Sequence, residues 1–214
     1  MIKNICGRNI LFEVSQGDIT GEDVDAIVNA AHERLQGGGG VDGAIHRAAG
    51  PKLCQACRDF PEVERGVRCR VGEAFITPGF RLKAKYVIHT VAPKFVGSAS
   101  RVVQESPDNP FKFTIGNNSL MKTLYQGAKE GTDEDMAKCY ESCIMLADEN
   151  SVKSIAFPAL GCGGHAYPME IACPIAIATT IKTLEKTSNI SHVKFVCFSE
   201  FDYNTYVMEM ENYE

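Results

Sequence analysis

Two runs of glycine constrain this 214-residue chain more than any other feature. The first, Gly37-Gly38-Gly39-Gly40-Val41-Asp42-Gly43, follows an apolar run ending in Val28-Asn29-Ala30-Ala31. The second, Gly161-Cys162-Gly163-Gly164-His165-Ala166, follows Ile155-Ala156-Phe157-Pro158-Ala159-Leu160. In both places a strand is expected to give way to bare backbone and then to a helix. A loop without side chains can bring several N–H groups against a phosphate, and the start of the helix adds its positive end. Two such loops facing each other would hold a diphosphate from both sides, so a nucleotide diphosphate is the first ligand to consider. Neither run contains Lys or Arg, so backbone amides must do most of that work.

The rest of the composition narrows the field. Hydrophobic residues make up 44% of the chain, enough for a full core without a staple. The formal charge of −5 and the lack of a Lys/Arg cluster argue against a nucleic-acid partner. Nine cysteines are scattered along the chain, and most are expected as small buried apolar residues. Cys54 and Cys57, and again Cys139 and Cys143, have helical spacing rather than the knuckle spacing of zinc sites, so no metal is expected. No stretch reaches membrane-spanning length, and Met1–Cys6 lacks a signal-peptide core. These features lead to the expectation of a cytoplasmic monomer with no membrane partner.

Strands are expected over Asn9–Ser15, Asp25–Asn29, Glu73–Thr77, Tyr86–Val91, Ser154–Leu160 and Val193–Phe198. The run Asp25–Asn29 is short and continuously apolar, as in sheets covered on both faces. Helices are expected over Val41–Ala49, Pro51–Phe60, Asp135–Asn150, Pro168–Lys186 and Asp202–Glu211, with Pro174 kinking or restarting the fourth. Gly97 to about Ser119 is rich in Gly, Ser, Pro and Asn without a period. It reads as a loop-like insertion extending to about residue 134, with a short helix over Leu120–Lys129. Alternating strands and helices predict a single domain over 1–214 built as a three-layer α/β/α sandwich, its central sheet mixed but mostly parallel. Both glycine loops then lie at the carboxyl ends of strands, where open α/β sheets bind ligands.

The ordered blocks Gly17-Asp18-Ile19-Thr20, Asp25–Ala31 and Gly37–Gly50 (GGGGVDGAIHRAAG) resemble the signature of macrodomains, in particular the MacroD-type branch. Gly72-Glu73-Ala74, Tyr86–Val91 and Phe157-Pro158-Ala159 fall in the same order. The resemblance implies a site for ADP-ribose and mono-ADP-ribosylated proteins, with no cofactor. It implies hydrolysis of mono-ADP-ribosyl esters on acidic side chains, or deacetylation of O-acetyl-ADP-ribose. By the same resemblance Asp18 would accept from the adenine amino group, with the Ile19 N–H beside it. Phe198 is placed either as the aromatic that stacks on adenine or as a core residue. Asn29 would meet the distal ribose and, with Asp42, orient or activate the water; a buried strand-end Asn could equally tie down the loop. Gly38, Gly39, Gly40 and Val41, with Gly161, Cys162, Gly163, Gly164 and His165, would form the phosphate loops. Asp42 matches the acid to which the family assigns catalysis; a first-turn acid complementing the helix dipole is the plain alternative.

Three positions depart from the family pattern, one after the first strand run and two in the second glycine loop. The second Asn of Asn-Ala-Ala-Asn is His32, which either takes over a hydrogen bond or acts as a base, or is simply a loop residue that weakens turnover. His165 replaces an aromatic of the second loop, and Gly164 a β-branched residue. These departures keep a second reading open, an ADP-ribose reader with little turnover. The Gly-Cys-Gly start of the second loop resembles a branch that uses a lysine nucleophile, but no lysine occurs between Asn4 and Pro51. A Cys162/His165 nucleophile pair is the less favoured reading of that loop. His46 and His89 read as structural histidines.

Overall fold

The computed structural model describes residues 1–95 and 132–213. A seven-stranded sheet runs through it in the order β1-β2-β7-β6-β3-β5-β4. The strands are β1 (Ile2–Ile5), β2 (Arg8–Gln16), β3 (Ala26–Ala30), β4 (Ala74–Pro78), β5 (Tyr86–Thr90), β6 (Ser154–Pro158) and β7 (His192–Cys197). The five inner strands are parallel, and β1 and β4 close the edges in antiparallel fashion. The helices are α1 (Gly40–Ala49), α2 (Pro51–Asp59), α3 (Thr132–Glu149), α4 (Met169–Leu184) and α5 (Glu200–Glu211), with one 3-10 turn at Ile19–Gly21.

Two cores lie on opposite faces of the sheet. One packs α3, α4 and α5 through residues such as Tyr140, Ile144, Ile177 and Tyr206. The other packs α1 and α2 through Ile45, Leu53 and Cys57. Because both faces are covered, β3 carries no solvent-facing polar alternation: Ala26, Ile27, Val28 and Asn29 are all buried. Gly50, at φ +82°, ends α1, and Pro51 starts α2 at a position where its missing N–H costs nothing. At the amino edge, Asp25 accepts from the Lys153 and Ser154 amides and from Lys85 Nζ, tying β3, β6 and β5 together.

Several expectations need correction. The N-terminal residues Ile2–Ile5 form a strand that the sequence reading left unassigned; its partner is Arg8–Gln16. The third helix begins at Thr132, so residues 132–134 belong to it and not to the insertion. Three acids, Asp133 to Asp135, suit the positive end of a helix and extend it past the apolar pattern. Pro174 does not restart α4, which runs unbroken from Met169. It lies close to that end, so only one early backbone bond is lost, and its neighbours Cys173, Ile175 and Ala176 are buried. The last helix begins at Glu200 because the Ser199 side chain caps it, accepting from the Asp202 N–H at 3.1 Å. The last strand stops at Cys197, and β6 stops at Pro158. The expected helix at Leu120–Lys129 and the loop at Gly97–Ser119 lie outside the described residues.

Candidate functional site

The parallel strands set the site pieces in a row along one edge of the sheet. From the carboxyl ends of β2, β7, β6, β3 and β5 emerge Asp18, Phe198, the second glycine loop, Asn29 with the first glycine loop, and His89 with Ala92. Neighbouring strands β6 and β3 send their loops to opposite faces, one into α4 and the other into α1. Open α/β sheets form a ligand crevice where such connections part, and both loops that would wall it here are glycine-rich.

Several amides along this edge are free. Among the described residues, the N–H groups of Ile19, Gly38, Gly39, Gly163, Gly164 and His165 donate to no acceptor. Gly39 is the N-cap of α1 without a side-chain bond, so the first amides of that helix also lack internal partners. Close packing requires the bare backbone. A Cβ on Gly43 would come 2.3 Å from the Gly38 carbonyl oxygen, and one on Gly161 would come 2.6 Å from Met136 Cε.

Beneath the first loop lies a buried polar cluster. Asn29, at the end of β3, donates from Nδ2 to Asp42 Oδ1 at 2.8 Å and to His89 Nδ1 at 3.1 Å. Asp42 sits in the first turn of α1 with only 4% of its surface exposed. His46, one turn later on α1, brings Nε2 to 3.5 Å from the same carboxylate. Burial pulls the His46 imidazole below its usual range although Asp42 draws it up. Burial, aided by the charge of His46, pulls His89 down to about 3. Two oxygens, Asn29 Oδ1 and Asp42 Oδ2, are buried without any partner. Buried acceptors are seldom left so, and the pair points to a ligand or water that donates.

The remaining expected residues divide. Phe198 is 85% exposed, which removes the core alternative. Asp18 is also exposed; its Oδ1 caps the 3-10 turn through the Thr20 amide and hydroxyl, and its Oδ2 is free among the described residues. His32 stands apart from the Asn29–Asp42 pair: it is exposed, and its Nδ1 accepts from the Arg34 N–H at 3.2 Å. His165 donates from Nδ1 to the Ala92 carbonyl at 2.7 Å, fastening the second loop to the segment after β5. The Gly40 and Val41 amides open α1. Cys162 is no candidate nucleophile. Burial, then the charges of Asp202 and Glu170, push its thiol up to about 12, and its Sγ turns to the Leu160 carbonyl, not to His165.

Sequence reasoning missed the two histidines as members of the cluster. The signals were present: Asp42 and His46 share a helix face at i, i+4, and the β3–β5 register sets Asn29 opposite His89. Among the described residues, no group of three His, Cys, Asp or Glu could hold a metal ion, and no helix is long and apolar enough to cross a membrane.

The fold and site together define an α/β sandwich whose two glycine-rich loops present free main-chain amides beside a buried amide–carboxylate pair. The Macro domain profile matches residues 28–109 and 113–176, and the chain belongs to the Macro domain family. A Macro domain-containing protein of Xanthomonas campestris pv. campestris is 42% identical over 91% of this chain and 92% of its own length. A Salmonella gallinarum protein named O-acetyl-ADP-ribose deacetylase is 39% identical, covering 88% of this chain and 87% of itself. Among solved structures, an Oceanobacillus iheyensis macrodomain with ADP superposes with a TM-score of 0.76 at 35% identity, over 100% of this chain and 95% of that one. A Trypanosoma brucei macrodomain in complex with ADP-ribose gives 0.69 at 34% identity, over 94% and 68%.

Proposed function

We propose that this chain binds ADP-ribose and hydrolyses esters on its distal ribose, either mono-ADP-ribosyl groups on acidic side chains or O-acetyl-ADP-ribose. The observation that carries the proposal is the pair of unpartnered buried oxygens, Asn29 Oδ1 and Asp42 Oδ2, directly below a loop of free amides. Both are acceptors, so they call for hydroxyl or water donors, which a ribose and a hydrolytic water supply. The other parts of the ligand follow the strand order. Adenine would lie at β2 and β7, its amino group on Asp18 and its ring on Phe198. The diphosphate would lie between Gly38–Val41 and Gly161–His165, with the far ribose at β3 and β5.

Hydrolysis adds water across the ester. The water oxygen bonds to the acyl carbon, the acyl–oxygen bond breaks, and a proton passes to the departing sugar oxygen. Asp42 would orient the water, take its proton and return it, while free loop amides would meet the charge that builds on oxygen. A second reading, a reader without useful turnover, draws on His32 and His165: one ring points to Arg34 and the other is tied to Ala92.

The deciding experiment follows release of labelled ADP-ribose from an esterified protein, with calorimetry on the same sample. Release is expected, with Asp42→Asn slowing it by about 100-fold or more while ADP-ribose affinity stays within about threefold. Tight binding with fully retained label selects the reader. Release undiminished in Asp42→Asn removes Asp42 from the mechanism. His32→Asn sorts the departure from the family pattern: faster release marks the imidazole as a handicap, and lost release marks it as a participant.

A further inference from the structure

We infer that His89 is a positioning residue: it fixes which atom of Asn29 faces the ligand. An amide side chain can sit in two orientations of nearly the same shape, with opposite hydrogen-bonding character. Here the two are far from equivalent. With Nδ2 toward Asp42 Oδ1 and His89 Nδ1, both amide hydrogens are used, at 2.8 and 3.1 Å. Reversed, Oδ1 would face a carboxylate and a ring lone pair together.

The orientation holds only if His89 Nδ1 carries a lone pair, and the surroundings accommodate this. His89 Nε2 lies 3.0 Å from Thr77 Oγ1, and that hydroxyl is within 3.5 Å of the Val87 carbonyl, which can only accept. In the arrangement we infer, Thr77 donates to Val87 and accepts the Nε2 hydrogen, leaving Nδ1 bare for Asn29. Cys57 Sγ, 3.7 Å from the same Nε2, covers the ring from α2. His89 is wholly buried and touches no free loop amide, so its influence on the ligand passes through Asn29. The result is a one-way series of donations that leaves Asn29 Oδ1 as an acceptor beside Asp42 Oδ2. This inference rests on the reading that Asn29 meets the distal ribose.

The test compares ADP-ribose with ADP, which lacks that ribose, by calorimetry on the full chain. The wild type is expected to bind ADP-ribose more tightly than ADP, and Asn29→Ala to erase the difference. His89→Leu should weaken ADP-ribose by about tenfold and leave ADP within about twofold. His89→Asn, whose oxygen can stand where Nδ1 stands, should recover most of the loss. Equal losses for both nucleotides would mean a merely structural histidine and overturn the inference. So would discrimination erased by Asn29→Ala yet kept in His89→Leu, which spares the reading of Asn29. A wild type that cannot tell the two nucleotides apart would overturn that reading and the inference with it. Should His89→Leu fail to fold, nitrogen-15 NMR of the unaltered protein decides. A hydrogen on Nε2 of His89 supports the inference, and one on Nδ1 refutes it.

Discussion

Acidification puts the buried imidazole of His89 under direct load. Its ordinary value is 6.5, and burial together with the charge of His46 holds it at about 3 in the folded chain. Between those values the unfolded chain binds a proton that the folded chain refuses. Stability contributed by keeping this ring neutral is therefore complete above the ordinary value and is lost as the pH falls, by about 1.4 kcal/mol per pH unit. Going from about pH 7 to about pH 5 should cost about 2 kcal/mol through this residue alone. That is a sizeable part of the roughly 5–15 kcal/mol that holds a domain together. His46 is shifted in the same direction, chiefly by burial, and steepens the loss. Glu209, raised by burial, opposes it at the lower end of the range. Comparing wild type with His89→Asn cancels both contributions. Urea unfolding at a series of pH values should show the wild type losing about 2 kcal/mol more than the variant over that span. Acid losses that agree within about 0.5 kcal/mol would refute the reasoning, because the ring would then be hydrated or charged in the native state.

Three further substitutions probe the cleft. Gly43→Ala forces a methyl group into the Gly38 carbonyl, 2.3 Å from where it would sit. A loss of about 1–3 kcal/mol in thermal unfolding and markedly weaker ADP binding are expected, and unchanged binding would contradict the packing described. Phe198→Ala should weaken adenine nucleotides by about 1–3 kcal/mol in calorimetry yet leave stability within about 0.5 kcal/mol, since the ring is 85% exposed; equal binding would remove it from the adenine site. Cys162→Ala should keep turnover within about threefold, and alkylation near pH 8 should pass over this thiol, which burial leaves protonated. Abolished turnover would reopen the nucleophile reading.

The legible and illegible parts of this fold differ for physical reasons. The strand run at Asp25–Asn29 and the helix entered through Gly37–Gly43 show in the letters because burial on both faces demands unbroken apolar residues and close approach demands glycine. The N-terminal strand did not show. Ile2–Ile5 has one buried residue, Ile5, and depends on its hairpin partner for definition. The start of α3 was misplaced because its first turn is acidic, a signal of charge and not of hydrophobic period. In the site, the proximity of Asp42 to Asn29 could be expected from the resemblance, but the roles of His46 and His89 could not. His46 faces Asp42 along one helix, with its Nε2 left without a hydrogen bond, and His89 meets Asn29 through strand register, a pairing that exists only once the sheet order is known. Phe198 was ambiguous for the opposite reason: an aromatic at a strand end has the same letter whether it turns inward or out.

On the proposed reading, a cleft walled by unadorned amides has an unusual vulnerability. There is no lysine or arginine in either wall to delete, so recognition there is spoiled by gaining atoms, not by losing them. Added salt should also weaken such a grip far less than it weakens a basic groove, because neutral dipoles displace few counterions. Drift at the packed positions Gly43 and Gly161 is held back by steric exclusion, and substitutions there should be poorly tolerated whatever their charge.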